Sequence, residues 1–460
     1  MMVIRFDNER TPGFKLGLTI LVGLMLVIPL FSVWLLVYDR QTQSQEASRS
    51  ITEGWGSAQT MSGPSLVIPY RALATETVVE NGQSVTRSRE ITREVTIAPQ
   101  VSRLYTGIVP EVRKRSIYEA VVYETHADGL AKFILPAELN RAGIDPTTLD
   151  LSRAELRFGL SDPRGLGANP RVRVDGRPLA LQPGQGSSGG KGFFAWVDAS
   201  TLREEAMEVR YAFDFRGNAS LALTPAAGQT DWSVRSSWQH PSFGGQFLPE
   251  SRSVGDRGFT AHYRIGNLSL GQSLITTALL GETMEKPRDP EAMNDPSRAN
   301  GAQVSLIQPV DLYSQVNRAA KYGFLFIGFT FLALLMFDVI GGVRVSAIEY
   351  LLMGAAIVLF FVLLLAFAEV IGFTPAYLVA SAAIVGLNTA YSAAVLKSWR
   401  RAAFIGGLLA ALYALLYILL SLEAFSLLIG SLLLFAALAG VMYATRNLDW
   451  SGRKEADAAA

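Results

Sequence analysis

Charged residues act as fence posts around long apolar runs. Residues 16–38 carry no charge, 322–343 carry only Asp338, and 350–368, 370–396, 402–422 and 424–445 carry none. Each run meets the roughly 20 residues that a helix needs to cross about 30 Å of hydrocarbon. A backbone in lipid must pair its own N–H and C=O groups, so such runs read as helices. The pattern predicts six transmembrane helices, one N-terminal and five C-terminal, at 16–38, 321–342, 348–370, 374–396, 402–421 and 424–444. The first run is longer than the apolar stretch of a signal peptide. It continues as Tyr38-Asp39-Arg40-Gln41 with no small-x-small cleavage site, which predicts an uncleaved anchor.

Between residues 39 and 320 the period changes to two. Ser65–Tyr70, Ile91–Ile97 and Ile117–Thr125 read as strands. Val78–Glu80 and Gln83–Arg87 flank Asn81-Gly82 as a hairpin does. Val209, Tyr211, Phe213 and Phe215 alternate with polar residues, and Ala219–Thr224 after Gly217-Asn218 reads as their hairpin partner. Strands at this spacing predict an antiparallel β-sandwich or related sheet. A helix over about 43–56 and short helical turns near 136–142 and 200–205 interrupt it. Pro183–Gly192 and Lys286–Gly301 read as flexible, the second as an exposed insertion.

The fold class that follows is an α+β membrane protein. It has a tail at 1–15, a span at 16–38, a large β-rich, sandwich-like domain at 39–320, a five-helix bundle at 321–444 and a tail at 445–460. Orientation comes from the short flanks. Arg5, Arg10, Lys15, Arg344, Lys397, Arg400, Arg401, Arg446, Arg453 and Lys454 lie on the side of the termini, and the turns at 371–373 and 422–423 hold no basic residue. The positive-inside rule then puts both termini in the cytoplasm and residues 39–320 in the periplasm of a bacterial inner membrane.

Composition narrows the chemistry. The net charge of +1 speaks against a nucleic-acid partner, and the absence of cysteine excludes disulfides, thiol chemistry and Cys-based metal sites. His126, His240 and His262 lack metal-ligand spacing. Gly190-Lys191 lacks the upstream glycine and the following hydroxyl of a P-loop. His240 and Ser242 flank Pro241 without a nucleophile elbow. The reading is therefore of a non-enzymatic protein with no cofactor, no metal and no catalytic residues. Polar residues inside spans are costly and often functional, which singles out Asp338, Glu369 and Asn388. Asp338 is placed to pair with Arg344, Glu349 opens the third span, and Asn388 alone lies deep, where it can bond to a neighbouring helix backbone.

The stretch Trp238-Gln239-His240-Pro241-Ser242-Phe243-Gly244-Gly245-Gln246-Phe247-Leu248-Pro249, followed by Gly258-Phe259-Thr260-Ala261-His262-Tyr263, resembles the CreD family of bacterial inner-membrane proteins. Tyr263 stands where that family has Trp. Ser62–Pro69, Ala320-Lys321-Tyr322, Glu349–Leu352, Glu369 with Gly372-Phe373-Thr374, Ala393–Lys397 and Thr445–Trp450 extend the resemblance along the chain. It implies a stress-response component under two-component control, linked to cell envelope integrity and colicin tolerance, and it brings no catalytic residues. Trp238, Phe243, Phe247, Phe259 and Tyr263 are expected to build the core of the external domain or to meet a membrane or partner surface. The expected partners are the bilayer and periplasmic envelope proteins or cell-wall components. The alternative is a small-molecule or lipid transporter or flippase that uses the bundle.

Overall fold

A computed structural model describes residues 12–80, 83–187, 190–277, 301–306, 312–339 and 345–421, with scattered positions between 428 and 446. Two compact units result, one of residues 1–45 with 310–460 and one of residues 46–309.

The helical unit contains α1 (Pro12–Thr52), α2 (Leu312–Lys321), α3 (Gly323–Val339), α4 (Ala347–Ile371), α5 (Phe373–Val395) and α6 (Trp399–Ser421). Five stretches among the described residues are long and apolar enough to span a membrane, with α2 and α3 counting as one. The sixth predicted span, 424–444, lies largely outside the described residues, as does Arg344. On α1, Thr19, Val22, Leu26, Val33 and Val37 are buried at helical spacing while Leu21, Leu24, Met25 and Ile28 are exposed. An apolar outer face is what a hydrocarbon solvent demands. Gly323 and Gly354 lie so close to the Leu30 and Leu26 side chains that a Cβ would collide with them, the small-residue contact by which helices approach in lipid. Ser346 and Glu349 close a capping box at the start of α4.

The other unit begins with the last turns of α1 and continues as strands. These are β1 (Gln59–Glu80), β2 (Gln83–Ile97), β3 (Val101–Arg115), β4 (Tyr118–Phe133), β5 (Ala154–Leu160) and β6 (Arg171–Val174). They are followed by β7 (Arg177–Pro178), β8 (Leu181–Gln185), β9 (Lys191–Val197), β10 (Met207–Asn218), β11 (Ser220–Thr224) and β12 (Gln229–Ser236). Last come β13 (Pro241–Gly245), β14 (Ser251–Gly255), β15 (Gly258–Gly266), β16 (Ile275–Thr277) and β17 (Ala302–Leu306). One sheet runs β13-β17-β11-β1-β5-β9-β8, with β2 and β16 joined to it through β1; the other runs β14-β15-β12-β3-β4-β10-β6-β7. The two sheets share one hydrophobic core. Phe158 on β5 meets Tyr211 on β10 at 5.2 Å, and Phe193 on β9 meets Phe213 at 5.4 Å, both edge to face.

Three expectations need correction. The sandwich is not purely antiparallel, since β1 pairs with β11 and β3 with β12 in parallel. Ala219–Thr224 is not the hairpin partner of β10. A positive φ of 54° at Ala219 turns the chain out of one sheet, and β11 pairs with β1 and β17 in the other. The Pro183–Gly192 loop is largely a hairpin of β8 with β9, with Gln185 opposite Lys191, and Ser187 Oγ donates to Ser62 Oγ at 2.7 Å. The predicted insertion at 286–301 falls, except for Gly301, outside the described residues.

The remaining strands follow the sequence pattern. β10 alternates buried and exposed residues along most of its length, Val78 pairs with Val85, and single 3-10 turns occupy 137–139 and 200–203. Trp232 is fully buried, stacks on Tyr263 at 4.9 Å and donates its Nε1–H to Thr106 Oγ1 at 3.1 Å. Trp232→Ala is expected to cost about 3–5 kcal/mol. Thermal unfolding of the detergent-solubilised chain measures this, with a clear fall in Tm against Trp196→Ala, whose wild-type ring is more than half exposed.

Candidate functional site

The 238–263 stretch joins the edges of both sheets. β13 is an edge strand paired with β17, and β14 is the edge strand of the other sheet. Phe243 meets Phe259 of β15 edge to face at 5.7 Å, and the Arg252 guanidinium lies 5.5 Å from the Phe243 ring centre. Phe247 bridges to Ala302. Gly245 has φ 88°, and its close approach to Gly301 leaves no room for a Cβ, so the turn toward Leu248 and Pro249 needs glycine.

Trp238, Pro241, Ser242, Phe243, Phe247 and Pro249 are half-buried, His240 is exposed, and Leu248 is 66 % exposed. Phe259 and Tyr263 belong to the core, while Trp238, Phe243 and Phe247 pack on its rim. The stretch is thus part core and part surface, with Leu248 and Val254 as its outward apolar residues. Trp238 Nε1 donates to the His240 carbonyl at 3.1 Å. The histidine that does meet a serine is His262, whose Nδ1 lies 3.1 Å from Ser233 Oγ across the β12–β15 ladder. This is an ordinary cross-strand pair, with no nucleophile elbow around it.

In the helical unit, Asp338 is buried and accepts from Lys15 Nζ at 2.8 Å. The sequence offered Arg344 for this role, a residue outside the described ones; among the described residues the partner comes from α1. Glu369, two residues from the end of α4, accepts from Tyr313 Oη at 3.3 Å and lies 4.0 Å from Arg40 Nε. Asn388 is 1 % exposed, and its Nδ2 has no hydrogen-bond partner among the described residues. Phe326, Phe360, Tyr377 and Tyr413 meet through ring contacts of 4.5–6.4 Å.

The sequence pattern missed a third place, on the outer face of the β-sandwich. A groove of about 590 Å³ lies over β3, β4 and β10 beside the loop 164–168. His126 Nδ1 and Asp214 Oδ1 are 2.6 Å apart, and Arg216 Nε meets Glu124 Oε1 at 3.1 Å. Both are directly opposed cross-strand pairs of β4 and β10. Their i, i+2 spacing on each strand put them on one face, but only the strand register brings the two faces together.

Hydrogen bonds tie the groove wall to β1 and β10. Buried Gln59 donates Nε2 to the carbonyls of Asp162 at 3.0 Å and Arg216 at 2.8 Å, and its Oε1 accepts from Asp162 N and Ser161 Oγ at 3.1 Å. The Arg164 guanidinium holds the Asp162 carboxyl well below the usual carboxylate range, opposed by burial and aided by the Ser57 amide. Next to the groove, Arg113 and Arg216 lie over the Trp55 ring at 3.7 and 4.3 Å, and Trp55 Nε1 donates to the Tyr123 carbonyl at 3.2 Å.

The sequence profile of the family described as inner membrane protein CreD matches residues 11–451. The chain is 31 % identical over 430 residues to inner membrane protein CreD of Escherichia coli strain K12, covering 93 % of this chain and 91 % of that protein.

Two measurements follow. Because the Asp162 pKa is depressed in the folded state, its stabilisation is present above the unfolded value of about 4 and declines as pH falls below it. Asp162→Asn is therefore expected to lower Tm at pH 7, with a gap to wild type that narrows steadily below pH 4. Lys15→Met strands a buried carboxylate and is expected to cost on the order of 3 kcal/mol. Lys15→Met with Asp338→Leu should recover most of that loss in thermal unfolding.

Proposed function

We propose that this chain, which belongs to the CreD family of inner membrane proteins, is a non-enzymatic support of cell envelope integrity that acts through a periplasmic β-sandwich held on a membrane-embedded helical bundle. The carrying observation is the pairing of two materials in one chain: five apolar helical stretches of spanning length among the described residues and a separate β-rich unit with its own core. The family match along nearly the whole chain supports the same reading.

In this reading both termini are cytoplasmic and residues 39–320 face the periplasm. The ten basic residues on the termini side support that orientation. The partners are periplasmic envelope proteins or cell-wall components, met by the surface part of the 238–263 stretch and the sandwich faces. The 238–263 stretch is suited to contact because it exposes the apolar side chains of Leu248 and Val254 together with the polar ones of Arg252 and His240.

The test is deletion and complementation. Loss of the gene should sensitise cells to membrane-active agents. The full chain should restore resistance, whereas residues 46–309 exported without the helices should not. Unchanged resistance on deletion, or full rescue by the exported β-unit alone, would contradict the proposal.

A further inference from the structure

The groove over β3, β4 and β10 carries features that packing does not require. Gly107 lies in the middle of β3, directly opposite His126. Glycine in a strand interior costs roughly 0.5–1 kcal/mol relative to alanine. Elsewhere on this outer face glycines are forced, since a Cβ on Gly165 or Gly167 would press into the carbonyls of Arg216 or Asp214. At Gly107 a Cβ would meet nothing nearer than the Tyr105 hydroxyl at 3.6 Å, an ordinary contact. The missing side chain instead leaves the groove floor open under His126, as a ligand that approaches the backbone needs.

The polar groups around that floor are preset. Asp214 engages His126 Nδ1 and so fixes the ring, leaving Nε2 without a partner among the described residues. Arg216 is paired with Glu124, and Arg164 with Asp162 through two hydrogen bonds of 2.9 and 2.8 Å. Each guanidinium is already paired with a carboxylate, so neither cation is left free for a further anion. A free anion gains little there. No group of three or more metal-ligating side chains occurs among the described residues. A peptide would seek main-chain bonds at a sheet edge, but β4 is paired on both sides along the groove, β3 is paired on both sides as far as Ile108, and the free side of β10 is taken by Leu166 opposite Phe215 and by the Gly167 amide on the Asp214 carbonyl. Half-exposed Tyr105 and exposed Val109 flank the floor and offer apolar surface to the C–H face of a sugar ring.

We infer that this groove binds a neutral saccharide, with His126, Glu124 and Arg216 reading its hydroxyl and amide groups over the open floor at Gly107. The volume of about 590 Å³ suits two or three sugar units. The inference deepens the envelope reading above by naming a ligand class, but it rests on the groove alone. Absence of sugar binding would leave the deletion phenotype of the preceding test unaffected.

The experiment is titration of the full chain in nanodiscs with chitotetraose, a neutral oligomer of N-acetylglucosamine, followed by calorimetry. Saturable binding is expected, weakened about tenfold or more by His126→Ala, by Asp214→Asn and by Gly107→Val, which fills the floor, each with a Tm close to wild type. If Gly107→Val does not reach that Tm, the other two variants carry the test. No saturable binding by the wild type overturns the inference. So does unchanged affinity in the well-folded variants, or displacement of the sugar by an equal concentration of inorganic phosphate, which would mark an anion site.

Discussion

A backbone N–H or C=O in hydrocarbon has no water to pair with, and that constraint orders the helical unit. Its long elements are helices with apolar outer faces. Its acidic residues Asp338 and Glu369 lie near the ends of α3 and α4, where Lys15 and Arg40 of α1 meet them. The two cations are 25 positions apart on α1 (40 minus 15), which is about 37 Å at 1.5 Å per residue. This lies between the hydrocarbon thickness and the full width with headgroups. Asn388, Thr330 and Ser392 are buried within the helices, and Thr330 bonds back to its own helix at Phe326.

In the β-unit the corresponding constraint is the sheet edge, and the chain manages it by crossing between sheets. β10 to β11 and β12 to β13 are such crossings, and each places a parallel or long-range pairing where a local hairpin would have left an open ladder. The crossings also fix the outer face of the second sheet. Gln59 at the start of β1 ties the 162–166 turn to β10, and this turn walls the groove in which His126 and Asp214 sit.

How much of this was legible in the sequence depends on range. The apolar runs were readable because bilayer thickness sets their length, and the β10 alternation because a strand has period two. The partner of β10 was not, because a local signal such as Gly217-Asn218 says that the chain turns but not which sheet it joins; the positive φ of Ala219 and the tight fit of Gly217 against Tyr123 decide that. Asp338 stood out as a polar residue in an apolar run, but its cation comes from residue 15, more than 300 positions away. The pairs His126–Asp214 and Glu124–Arg216 depend on strand register. In the 238–263 stretch the aromatic content was evident, but its division between core and rim appears only once β13 and β14 are seen as the edges of two sheets.

The proposed topology holds the helical unit in the bilayer and the β-sandwich in the periplasm. The native chain has no cysteine, so single cysteines report topology without background. Labelling of spheroplasts with a membrane-impermeant maleimide should modify Glu205→Cys in the sandwich at once, and Arg400→Cys at the start of α6 only after the membrane is opened. The reverse pattern, or equal labelling of both in intact spheroplasts, would contradict the account.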